Sequence, residues 1–196
     1  MTSRAGASLR GRRVQTLQLG ADESMASIVA RLNAHQPDLL TGYPSILGCL
    51  AEEQQSGRLS IRPRAVTTSG EALDADLRDR VERAWGCRPF DLYGATECGA
   101  IASECERHEG LHLYEDHLIV EVVDRDNRPV RPGAWGEKVL VTVLFRRRQP
   151  LIRYELADRV SLSDEPCSCG RPFARLRGIA GRAEEDLRLP SVQGGG

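Results

Sequence analysis

The chain is poor in lysine, in net charge and in long apolar runs. Of its 27 basic residues only Lys138 is a lysine, so any step that needs an ammonium group has one candidate. Lys138 follows Gly136-Glu137 within a β-rich run, the setting of an ordinary solvated strand residue whose stem packs along the sheet. The net charge of -1 at pH 7 gives no bulk attraction to nucleic acid or to anionic membranes. Arg146-Arg147-Arg148 is a local run and reads as a solvated strand end or loop. Aromatic residues do not interleave with basic ones, which argues against a zinc-ribbon nucleic-acid binder. Met1 to Arg13 is polar and arginine-bearing with no apolar run behind it, so neither a signal peptide nor a membrane span is readable. A cytoplasmic setting is therefore expected, where the six cysteines serve as thiols or metal ligands rather than disulfides. Nothing matches the Gly-x4-Gly-Lys phosphate loop.

A length of 196 residues is enough to bury a sizeable core as one domain or two small subdomains. Ser24 is placed to cap a helix running to Asn33, with Ile28 and Leu32 at helical spacing. Asp38 to Thr41 reads as a short strand. Gly42-Tyr43-Pro44-Ser45 turns into a helix carrying Ile46, Leu47 and Leu50, which stops near Gly57. Ala65 to Thr68 is the next strand. A helix from Leu73 to Trp85 lines up Leu73, Leu77, Val81 and Trp85, and Gly86 ends it. Pro89 to Tyr93 is a third strand, so the order argues for a parallel α/β layer. Beyond Leu113 the pattern becomes β-rich: Leu118 to Val123, a turn at Asp126-Asn127, Lys138 to Leu144, Leu151 to Tyr154 and Arg159 to Leu162. These short strands suggest a small antiparallel sheet or partial barrel. The expected division is 1–113 as the α/β part, 114–180 as the β-rich part, and 181–196 as hinge and tail. Cys49, Cys87 and Cys98 are expected to pack in the core.

Phe90-Asp91-Leu92-Tyr93-Gly94-Ala95-Thr96-Glu97-Cys98-Gly99 carries the strongest chemical signal. Tyr93 offers a flat face for a base, Gly94 a tight turn, Thr96 a hydrogen bond for a phosphate oxygen, and Glu97 a hard oxygen for Mg2+. Ligands of a parallel sheet bind where its strands end. Thr67-Thr68-Ser69-Gly70-Glu71-Ala72 closes one such strand, and its free backbone N–H groups suit a nucleotide. Neighbouring strands would set Gly70 and Tyr93 side by side with an adenine between them.

These residues resemble the aromatic-Gly-x-Thr-Glu motif of adenylate-forming enzymes, which make an acyl-AMP from a carboxylic acid and ATP. Ile152-Arg153-Tyr154-Glu155-Leu156-Ala157-Asp158 is similar to the family's Tyr-Arg-Thr-Gly-Asp stretch. The match rests on Tyr154 and Asp158, while Glu155, Leu156 and Ala157 depart from the pattern. The resemblance implies that Asp158 accepts from both ribose hydroxyls. Gly181-Arg182-Ala183-Glu184-Glu185 resembles the Gly-Arg-x-Asp-Asp hinge before the family's mobile C-terminal domain, with both aspartates replaced by glutamate. The order of Gly42-Tyr43-Pro44-Ser45, Ser69-Gly70-Glu71, Tyr93 to Gly99, Glu104-Cys105, Gly110-Leu111-His112, Glu115-Asp116, Pro150 to Tyr154 and Cys167 to Pro172 resembles the phenylacetate–coenzyme A ligase-like branch, from about Val14 to Leu189. Tyr43 and Pro44 then line the acid pocket or form a plain turn.

Cys105 and His112, with Cys167-x-Cys169 far downstream, supply the four soft or borderline ligands that tetrahedral Zn2+ takes, and Cys3His is a common structural set. His108 competes with His112; Gly110-Leu111 gives His112 a turn. Some members of the resembled branch carry such a site.

The resemblance also makes two absences meaningful. No Thr-Gly-Thr-Thr-Gly-like phosphate loop occurs, and no lysine stands where the family's C-terminal domain places one. The expectation is a segment of an acid–coenzyme A ligase: ATP or AMP, Mg2+ and structural Zn2+ as cofactors, a small carboxylic acid and coenzyme A as partners. The missing parts would come from a separate chain or a second copy in a homodimer. The alternative is a non-catalytic, zinc-stabilised nucleotide-binding module.

Overall fold

The computed structural model describes residues 14–20 and 22–182. Three parallel strands organise its first half: β1 (Leu39–Gly42), β2 (Ala65–Ser69) and β3 (Phe90–Ala95). Three helices connect or precede them: α1 (Met25–His35), α2 (Pro44–Gln55) and α3 (Ala75–Trp85). Each helix shows its end signals. Ser24 Oγ accepts from Ser27 N, and α1 closes on Gln36 in a left-handed conformation. The Asp74 carboxylate accepts from Leu77 N at 2.7 Å, and Gly86 (φ 70°) caps the other end of α3. α2 begins with Pro44 at its first turn and has no capping side chain of its own. Glu71 supplies one from a distant turn, accepting from Ser45 N at 2.9 Å and Ser45 Oγ at 3.0 Å. Ile28, Leu32, Leu47, Leu50, Val66 and Val81 fill the core between these helices and strands.

The sheet then changes sense. β4 (Gly99–Glu104) returns antiparallel to β3, and β5 (Leu111–Leu113) pairs with β4. A second, antiparallel sheet of three strands follows: β6 (Leu118–Val123), β7 (Lys138–Val143) and β8 (Tyr154–Leu156). The chain then re-enters the first sheet with β9 (Asp158–Leu162) and β10 (Arg175–Arg182), completing the order β1-β2-β3-β4-β5-β10-β9. Ile101, Leu113, Leu118, Val139, Val141, Val160 and Leu176 form the second core.

The architecture is mixed α/β with a parallel layer and a second small sheet, as the sequence pattern implies. Some details differ. The strand placed at Leu151 to Tyr154 begins at Tyr154, because Arg153 takes φ 49° and its N–H bonds Thr142 Oγ1 rather than a ladder partner. α3 starts at Ala75, set by the Asp74 cap. β4, β5 and β10 have no counterpart in the sequence reading: each is short or glycine-bearing. Cys98 is buried, but Cys49 is exposed on α2 and Cys87 is half-buried. Both were expected in the core; Cys49 falls on the outward side of a helix whose inner stripe is Leu47, Leu50 and Ala51. Lys138 lies in β7, paired with Glu155 at 2.8 Å.

Replacing Asp74 by Ala removes the α3 cap, and urea unfolding should show a loss of about 1 kcal/mol.

Candidate functional site

A groove of about 810 Å³ opens where β2 and β3 end. Ser69 pairs with Leu92 across the two strands, so Gly70 and Tyr93-Gly94 leave the sheet side by side. Gly70 takes φ 85°, and a Cβ there would lie 2.8 Å from Tyr43 Cε1. The positive φ is what calls for glycine, since the exposed Tyr43 ring could move aside. The opposite wall comes from β9 and β10, through Asp158, Gly178, Gly181 and Arg182. Tyr93 spans to that wall, its hydroxyl donating to Asp158 Oδ2 at 2.7 Å. Arg182 Nε stands 3.6 Å from Asp158 Oδ1. Burial, and then the hydrogen bond to Asp158, push the Tyr93 phenol well above its ordinary pKa. The phenol therefore stays protonated and keeps donating.

The groove brings together Gly70, Glu71, Tyr93, Gly94 and Asp158. Glu71 lines it while its carboxylate caps α2. Ser69 is half-buried at the end of β2. Thr96 and Glu97 sit exposed on the turn joining β3 to β4, just beyond Gly94 and outside the groove wall. Gly181 and Arg182 end β10, whereas Glu184 lies outside the described residues.

Three groove residues, Asp91, Glu104 and Arg78, carry no role in the sequence reading. Asp91 is half-buried, and its Oδ1 accepts from Thr68 Oγ1 at 3.0 Å. Burial pushes its carboxyl above the usual range, with the Glu104 charge adding to that effect. Glu104 is buried and accepts from Arg78 through two nitrogens, at 2.9 and 3.0 Å. It also accepts from Asp91 N at 3.0 Å and faces His108 Nδ1 at 3.0 Å. Burial alone would raise the Glu104 carboxyl, but these hydrogen bonds outweigh it and hold it below the usual range. Asp91 and Glu104 stood inside stretches already singled out; Arg78 lies mid-helix with no motif around it.

Beyond the groove, Cys105 just past β4, His112 in β5, and Cys167 and Cys169 between β9 and β10 converge, their ligand atoms all within 4.8 Å of one another. Cys105 Sγ lies 3.7 Å from Cys167 Sγ, and Cys169 Sγ lies 3.4 Å from His112 Nε2. Zinc–sulfur bonds of about 2.3 Å and zinc–nitrogen bonds of about 2.0 Å give a tetrahedron with edges of about 3.8 and 3.5 Å. The donor set fits that ion. His108 instead turns its ring to Glu104 and to Phe90, 4.7 Å between ring centroids. Glu109 fastens the two ligand loops, accepting from Ser168 Oγ at 3.1 Å and from Arg175 at 3.5 Å. Among the described residues no helix is long and apolar enough to cross a membrane.

The fold and the strand-end groove define a mixed α/β protein with a ligand cleft at its strand ends, and solved proteins of this fold include acyl–coenzyme A ligases. Solved 2-hydroxyisobutyryl-CoA ligase, in complex with an acyl-AMP, superposes with a TM-score of 0.76 at 30% identity, over 85% of this chain and 37% of that one. A benzoate CoA ligase from Burkholderia xenovorans shares the fold with a TM-score of 0.61 at 20% identity, over 87% of this chain and 37% of that one. The family model of the AMP-binding enzymes matches residues 4–142, and the chain belongs to that family. Phenylacetate–coenzyme A ligase of Thermus thermophilus is 31% identical over 80% of this chain and 37% of its own length. The Escherichia coli enzyme of that name is 31% identical over 95% of this chain and 43% of its own. The chain thus spans about two-fifths of these relatives.

Above about pH 10 an unfolded tyrosine ionises while folded Tyr93 keeps its proton, so stability falls as pH rises past that point. Tyr93→Phe should cost about 1 kcal/mol at neutral pH and flatten this alkaline loss, read by urea unfolding from about pH 7 to about pH 11.

Proposed function

We propose that the chain is the nucleotide-holding portion of an adenylate-forming acid–coenzyme A ligase of the phenylacetate–coenzyme A ligase-like branch. The observation that carries this is the Tyr93–Asp158 pair closing a groove that begins at Gly70. The Tyr93 ring and the Gly70 backbone border a purine. Asp158 keeps a carboxylate oxygen for ribose hydroxyls, and Asp91 offers a carboxyl acceptor to an exocyclic amine. Ser69, Glu71 and Gly94 shape the rim. Thr96 and Glu97, on the turn just past Gly94, are assigned the α-phosphate and Mg2+, the ion that offsets charge as pyrophosphate leaves.

In that reaction a carboxylate oxygen attacks the α-phosphorus of ATP and the bond to the β-phosphate breaks, giving acyl-AMP and pyrophosphate. The thiol of coenzyme A then attacks the acyl carbon and AMP departs. Lys138, the one lysine, is engaged with Glu155. The cation at the reacting phosphate is therefore assigned to a part of the enzyme outside these residues. Gly181, Arg182 and Glu184 are assigned as the hinge towards such a part. Cys105, His112, Cys167 and Cys169 hold a structural zinc ion that fastens the β4–β5 and β9–β10 loops. The setting is taken as cytoplasmic, with a small aryl or other carboxylic acid as substrate. The same single lysine supports a second reading, a zinc-stabilised module that binds nucleotide without turnover.

Calorimetry should detect AMP, and Asp158→Asn should weaken it about tenfold, consistent with losing a charge-assisted contact. Unchanged affinity in that variant would overturn the ribose assignment. Pyrophosphate release with ATP, Mg2+ and a panel of aryl acids separates ligase from silent module.

Purified protein should carry about one zinc ion per chain, and a chelator should lower its melting temperature. Elemental analysis without stoichiometric metal, together with four reactive thiol and imidazole positions left free, would reject the site.

A further inference from the structure

Glu104 joins the nucleotide groove to the metal loop. It ends β4 directly before Cys105, and its side chain is 4% exposed. Three elements meet on its carboxylate: Arg78 from α3, the Asp91 backbone N–H from β3, and the His108 ring from the loop between β4 and β5. Pairing of β3 with β4 begins at Leu92 and Ser103, so Asp91 stands opposite Glu104 one step beyond the ladder. The Glu104 side chain supplies the rung that the backbone of β4 does not. Asp91 is thereby held twice, its amide by Glu104 and its carboxyl by Thr68. Asp91 and Tyr93 are two apart on one strand, so their side chains share a face. A carboxyl acceptor beside an aromatic ring suits a purine amine, and it repels the carbonyl that hypoxanthine carries in the same place.

The metal loop reaches the same strand. His108 lies between ligands Cys105 and His112, bonds Glu104 and packs its ring on Phe90, next to Asp91. Gly110 from that loop and Leu111 at the start of β5 line the groove.

We propose that Glu104 is a positioning residue for the base: it aims the Asp91 carboxyl at a purine amine and ties that aim to the order of the Cys105–His112 loop. This rests on the nucleotide reading given above. A purely structural Glu104 would alter stability and weaken every nucleotide alike; a positioning Glu104 alters the choice of base.

The test measures dissociation constants for AMP and IMP by calorimetry, with zinc content and melting temperature, on the parent chain and two variants. Glu104→Gln puts an amide donor among the donors Arg78, His108 and Asp91 N–H. AMP should weaken about tenfold while IMP changes less than about twofold, so that discrimination collapses. His108→Ala leaves the Arg78–Glu104 pair and all four ligands in place, and it decides the matter should Glu104→Gln fail to fold. There AMP should weaken about threefold with the zinc content unchanged. Equal losses for AMP and IMP, or AMP affinity within about twofold of the parent in both variants, would overturn the proposal and leave the nucleotide reading standing. No AMP binding by the zinc-loaded parent would overturn both.

Discussion

A phenol and a carboxylate 65 residues apart in the chain meet at 2.7 Å, and this contact joins the two walls of the groove. Tyr93 belongs to the parallel part of the sheet and Asp158 to a strand that enters only after a separate three-stranded sheet has been completed. Their contact needs β4, β5 and β10 between them in the right order. It also needs burial, which keeps the phenol protonated and the hydrogen bond in place. Gly70 on one side and the walls of β9 and β10 on the other frame the cleft that this contact spans.

The same sheet order assembles the cysteine–histidine cluster. β5 pairs with both β4 and β10, so a residue just past β4, one within β5 and a loop ahead of β10 reach one point. The segment from Cys105 to His112 also supplies groove wall at Gly110 and Leu111 and turns His108 towards Glu104. Two chemically distinct sites therefore share one short segment. Glu104 is the residue on which they touch, a buried carboxylate made tolerable by a two-nitrogen contact from Arg78.

Legibility followed the range of the interactions. Ser24 and Gly86 announced helix ends because caps act within one turn, and the inner stripe of α3 showed its period. β6 matched its expected span, residues 118–123, because a run of β-branched residues needs no partner to be recognised. β4 and β5 were missed: one begins with Gly99-Ala100 and the other has three residues, and both owe their state to neighbours. Cys49 was misplaced for a related reason, since a cysteine suits either face of a helix and only packing decides which. The groove residues Tyr93, Gly70 and Asp158 were readable because each sits in a local motif. Arg78 was not, being one arginine among many on a polar helix face.

By itself the sequence determined the kinds of element, the strand-end turns and the identity of the chemical groups, all of which follow from short-range stereochemistry and side-chain type. Which groups face each other was decided by tertiary structure alone. Sheet order set His112 rather than His108 among the cysteines, turned Glu71 to the end of α2, and brought Asp91 within reach of Glu104. Contacts between residues far apart in the chain depend on how strands are ordered, and no local pattern of residues records that order.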